Sequence, residues 1–201
     1  MKKIIFALIL IGMLAVAGKA IITDKKPEAF HIHADFALFL RGERFDFAKP
    51  EFMSIEPCTP EETNLIPSAY AHLGEEGLGS AVHLHGNVGH IIHVHRPGIT
   101  YKDFFNSLDM EFEKGLLVNR NGKETKDNAT NTFRYFINDQ EVENLTDIEI
   151  QSLDRTLITY GPQNRSASSI DRELEALTDE ACIYSGLCPK RGEAPKESCG
   201  S

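Results

Sequence analysis

The chain of 201 residues carries 30 acidic against 21 basic side chains, a net charge of −9, and 41% of it is hydrophobic. That balance excludes a nucleic-acid-binding protein, which needs a basic footprint to displace counterions from phosphates. The apolar content suffices for one packed domain with a tail, and no period repeats, so a solenoid or propeller is excluded as well.

Met1-Lys2-Lys3, an apolar or small run from Ile4 to Gly18, and Lys19-Ala20 have the layout of a secretory signal cleaved after Ala20. An uncleaved anchor is the alternative, and the only route to a membrane, although a spanning helix wants roughly 20 apolar residues. Removing residues 1–20 takes away three lysines and no acid, leaving 18 basic against 30 acidic residues, or −12. The expected location is therefore periplasmic, cell-surface or secreted.

Residues 21–29 read as a polar linker before a domain spanning 30–161. From Phe30, the residues Ile32, Ala34, Phe36, Leu38 and Leu40 alternate with His31, His33, Asp35, Ala37 and Phe39, the period of a half-buried strand. Arg41-Gly42 offers a tight turn. Pairing Leu40 with Glu43 across it returns Phe45 and Phe47 to the face of Leu38 and Phe36. Residues 48–80 are irregular, with a short helix expected at Thr59-Pro60-Glu61-Glu62, where a threonine N-cap, a first-turn proline and a glutamate satisfy the opening amides.

A second hairpin runs from Val82 to His95, and its register can be deduced. A two-residue turn at Asn87-Val88 would send His93 and His95 away from His85. A three-residue loop, Asn87-Val88-Gly89, pairs His83 with His93, gathers Val82, Leu84, Ile92 and Val94 on one face, and puts glycine at the left-handed loop position. His83, His85, His93 and His95 then share the opposite face, because side chains two apart on a strand point the same way.

Thr100-Tyr101-Lys102-Asp103 opens the main amphipathic helix, expected to run through about Leu108. Phe112 to Val118 and Phe133 to Ile137 are expected strands, Asn138-Asp139-Gln140 a turn, and Arg155 to Tyr160 a closing strand before Gly161-Pro162. Residues 162–201 follow as a C-terminal helix from Ser168, with Ile170, Leu174 and Leu177 on one side, and a cysteine-containing tail. The fold class is α+β: antiparallel hairpins forming a mixed sheet, one main packed helix, then that helix and stapled tail.

Cys58, Cys182, Cys188 and Cys199 are an even set in an exported chain and are expected to form two disulfides. Three pairings are open. The tail has too little apolar content to dock alone, so it reads as a coil held on the domain through Cys58. Asn128-Ala129-Thr130 and Asn144-Leu145-Thr146 are expected to be exposed loops.

The chemistry lies in the histidines. His83, His85, His93 and His95, joined by His31 and His33 from the first hairpin, put imidazoles in pairs on one face, a geometry that suits chelation of a transition metal. Asp35 is expected to orient a ring by accepting its second N–H. His90, on the other parity, and His72 are not expected to be ligands. Imidazole suits zinc, copper, nickel and iron; the absence of a neighbouring cysteine or methionine counts against a blue-copper centre or a copper(I) site, and zinc is expected ahead of copper(II).

These segments, His31-Ile32-His33, His83-Leu84-His85, Ile92-His93-Val94-His95 and Asp103-Phe104-Phe105, resemble a group of exported archaeal and bacterial histidine-rich proteins, a likeness over residues 30–110 that implies no particular activity. In element order, the helix, the Phe136-Ile137-Asn138 turn and Leu157-Ile158-Thr159-Tyr160 are similar to β-grasp domains. The sequence reading is an extracytoplasmic metal-binding protein. Two alternatives stand beside it. One is a secreted metalloenzyme with an open His-ligated position, where Glu75, Glu76 or Asp35 would accept protons. The other is a thiol–disulfide exchange protein using the C-terminal cysteines, although no Cys-x-x-Cys is present. No His-Glu-x-x-His helix, cupin glutamate or Gly-x-Ser-x-Gly elbow identifies catalytic residues.

Overall fold

The computed structural model describes residues 30–54 and 78–195. The signal segment, the linker, the Thr59 helix start, Cys58, His72, Glu75, Glu76 and Cys199 lie outside the described residues.

The organising strand is β1, Ile32–Leu40. One of its edges runs parallel to β10, Arg155–Pro162, with Asp35 opposite Arg155 and Leu40 opposite Tyr160. Two partners share its other edge. β2, Glu43–Arg44, pairs with the far end, Leu40 opposite Glu43, and β4, Ile91–Val94, pairs with the histidine-bearing end, His33 opposite His93. Outside β4 lies β3, Val82–His83, and outside β10 lie β8, Asn131–Ile137, and β9, Gln140–Val142. A separate three-stranded sheet joins β5, Glu111–Glu113, β6, Leu116–Val118, and β7, Glu124–Lys126. The mixed sheet and few helices make the fold α+β, as expected.

The helices are α1, Leu78–Ala81, α2, Tyr101–Ser107, α3, Ala167–Glu175, and α4, Ala181–Tyr184. α2 starts where its capping box stands: Thr100 Oγ1 accepts from the Asp103 amide, and the Asp103 carboxylate accepts from the Thr100 amide. Its Tyr101, Phe104 and Phe105 pack with Phe36, Leu38, Leu84 and Ile92 on one face of the sheet. The opposite face buries Ala37, Phe39, Phe136 and Leu157 under Ile170 and Leu177, with Leu174 packed alongside.

Three expectations are corrected. β1 is buried on both sides rather than half-buried, because the segment after Pro162 returns to cover its second face. Phe112 to Val118 is two strands rather than one: Gly115, with φ +72°, turns the chain back so that Glu113 pairs with Leu116. The loop of the histidine hairpin takes its left-handed residues at Gly86 and Asn87, not at Gly89. Gly89 is needed for another reason, since a Cβ there would stand 2.3 Å from the Ala48 nitrogen.

Both hairpin registers hold, with Arg41 and Gly42 at positive φ in the first turn and His83 opposite His93 in the second. Asn128 is exposed as expected, whereas Leu145 and Thr146 of the other sequon are buried. No helix among the described residues is long and apolar enough to cross a membrane.

Candidate metal centre

Strand parity builds the centre. His31, His33 and Asp35 follow one another on the second face of β1, His93 and His95 stand on or just beyond β4, and His83 and His85 stand on or just beyond β3. Cross-strand pairing then makes a row, because His93 is opposite both His33 and His83. Ring centroids confirm a continuous patch: His31 to His33 is 4.4 Å, His33 to His93 4.6 Å, His31 to His95 4.3 Å, His85 to His93 3.9 Å and His83 to His95 5.0 Å.

The tightest group is His31, His33 and His93, whose ligand atoms all lie within 4.8 Å of one another and which can hold a metal ion. The hairpin formed by β3 and β4 was expected to lead, with β1 contributing. Convergence instead joins β1 to β4, through His93, which stands on the strand between β3 and β1 and is opposite both His83 and His33. His83, His85 and His95 adjoin this group. His90 lies apart from it and is bonded through Nε2 to Glu180, 2.9 Å away.

At His93 and His95 the surroundings favour neutral imidazole. Burial, followed by the charges of His85, His33, His83 and His31, drives the His93 pKa far below the usual histidine range. Burial, followed by His83, His31, His33 and His85, lowers that of His95 to about 3. A neutral ring offers one lone pair, the form a metal requires. For His83 the tautomer follows from chemistry: its Nδ1 lies 2.7 Å from the Gly79 carbonyl, which can only accept, so Nδ1 carries the proton and Nε2 the lone pair.

Asp35 does something other than expected. Its carboxylate accepts from Thr178 Oγ1 at 2.5 Å and from the amides of Glu180 and Ala181, each at 2.9 Å, so it anchors α4 rather than orienting a histidine ring. That anchor lays the C-terminal segment over the histidines. Ser185 Oγ is hydrogen-bonded to His33 Nδ1 at 2.9 Å, and the Tyr184 ring lies 6.0 Å from the rings of both His33 and His93. Cys182 and Cys188 are disulfide-bonded and enclose Tyr184 and Ser185 in a short loop.

Sequence reasoning missed Tyr184 and Ser185. Tyr184 ends the four-residue α4 and Ser185 follows it, an element too short for a period to announce, and the one signal was their position between two cysteines. No protein-family model, curated protein or solved structure matches this chain. The centre is thus read from its own residues: three converging imidazoles on a buried sheet face, held from above by a disulfide-closed segment.

Proposed function

We propose that this is an extracytoplasmic protein that holds a transition-metal ion, zinc in the first place, through His31, His33 and His93. The observation that carries the reading is the convergence of those three ligand atoms on a buried face. Three neutral nitrogen donors suit zinc, which takes His at about 2.0–2.1 Å in a four-coordinate shell. Export is supported by the signal-like N-terminus and by the disulfide, which fits an oxidising compartment. The cover of Tyr184 and Ser185 favours retention or delivery of the ion over turnover of a substrate, since it occupies the approach to His33 and His93.

Elemental analysis of tag-free protein tests this directly. Wild type is expected to carry zinc, or to take it up on titration, and bound metal at 100 times Kd should stabilise the fold by about 2.7 kcal/mol. Paired replacement of His33 and His93 by alanine should remove this ion, whereas His90→Ala should not. A wild-type protein that takes up neither zinc nor copper would overturn the proposal.

A further inference from the structure

Three imidazoles at His31, His33 and His93 leave one position of a tetrahedral shell to be filled. Its direction follows from the strands. His31 and His33 are two apart at the start of β1, and His93 is opposite His33 on β4, so all three rings rise from the same face of the sheet. The remaining vertex therefore points away from the sheet, towards whatever lies over that face. His83, His85 and His95 are rooted in the same face, beside the three rings rather than above them, and their donor atoms do not belong to the converging group.

The C-terminal segment lies over the face. Asp35 holds its start through Thr178, Glu180 and Ala181, and Ser185 Oγ is bonded to His33 Nδ1 at 2.9 Å. Between these two ties stands Tyr184, the last residue of α4. Its ring centroid is 6.0 Å from that of His33 and 6.0 Å from that of His93. With metal–ligand bonds of about 2 Å at tetrahedral angles, a ligating tyrosine ring stands roughly 5–7 Å from the histidine rings on the same ion, and those rings stand roughly 5 Å from one another. The histidine spacings of 4.4 Å, 4.6 Å and 5.9 Å bracket the second figure. Tyr184 meets the first against two of the rings at once. Ser185 is already engaged by His33, which leaves the phenol as the oxygen donor of this segment placed to serve the ion.

We propose that the Tyr184 phenolate oxygen is the fourth ligand of the ion held by His31, His33 and His93. This inference rests on the reading of those three histidines as a metal site. Ligation releases the phenol proton to water and makes the ion a clasp between the sheet and the C-terminal segment. A shell of three imidazoles and one oxygen suits zinc or copper(II) and not copper(I), which prefers thiolate and thioether sulfur.

The test is the visible absorption of the full, tag-free chain during titration with copper(II). A phenolate bound to copper(II) gives a charge-transfer band in the visible that imidazole ligands alone do not give. Wild type is expected to gain this band with the first equivalent, and Tyr184→Phe to bind copper(II) without it. Losing even an outer contact of a ligand costs about 10–100-fold in metal affinity, so the same variant should hold zinc at least about tenfold more weakly. Copper(II) bound by wild type without the band would overturn Tyr184 as a ligand and leave the three histidines standing. A band that persists in the variant would overturn it as well. No uptake of copper(II) or zinc by wild type would overturn both readings. The wild-type spectrum is read without the variant, so the test stands even if that variant fails to fold.

Discussion

Asp35 shows how much one buried carboxylate can organise. It sits on the histidine face, two residues after His33, and three donors from residues 178–181 converge on it. Removing the acceptor leaves those donors without their partner, and hydrogen bonds to a charged group contribute about 1.5–3 kcal/mol. Asp35→Ala should therefore destabilise the protein by about 3 kcal/mol in urea denaturation and speed loss of bound zinc to a chelator. An unchanged exchange rate would mean that α4 does not hold the centre closed. Gly89 makes a second test, because its Cβ would run into the backbone of Phe47 and Ala48. Gly89→Ala should cost about 2 kcal/mol as overpacking. Gly86→Ala meets open space and only the strain of a positive φ, so a thermal melt should rank it as the milder change. The histidine register was legible because a one-residue slip would have turned Val82, Leu84, Ile92 and Val94 outward. The partners of Asp35 were not, since more than 140 residues separate it from them and no local pattern announces the contact.

At the scale of elements, the segment from Thr178 to Cys188 matters most. Its hold on the sheet is polar: Asp35 at its start, the His90–Glu180 pair along it and Ser185 on His33. The Cys182–Cys188 bond closes its turn, and closing so short a loop is worth about 2 kcal/mol in chain entropy. Reduction by a dithiol should loosen this cover. Zinc transfer to a chelator is then expected to accelerate several-fold in reduced protein or in the C182S/C188S variant, with far-ultraviolet dichroism unchanged. Equal rates would show that the cover does not limit exchange. The pairing also bears on the other cysteines. With Cys182 bonded to Cys188, a tether through Cys58 can use only Cys199, so thiol counting under denaturing conditions should find no free thiol. The strands and α2 were readable from period and capping. The split of residues 111–118 into a hairpin was not, because Glu111-Phe112-Glu113 alternates as a strand does and Leu116-Leu117-Val118 continues it with apolar residues, so that Gly115 alone marks the turn.

For the whole molecule, a sheet buried on both faces has consequences for its response to acid. The alternation in β1 announced one apolar face, but the cover of the other comes from the end of the chain, and His93 becomes an interior residue with it. An interior histidine resists protonation, whereas the unfolded chain takes up protons near the ordinary value of about 6.5. His95, lowered to about 3, and His93, lowered further, are thus neutral in the fold across a range in which they are charged in the unfolded chain. Between roughly pH 6.5 and 3 the unfolded state binds more protons, so stability must fall as pH falls. Bound metal adds to this in the same direction, because its ligands have to be neutral. Thermal melts from pH 7.5 to 4.5, with zinc and with chelator, should show two curves that both descend on acidification and converge as the metal is lost. A chelator-treated protein whose melting temperature stayed level from pH 7 to 5 would mean that the histidine face opens to water, and the buried site would have to be abandoned.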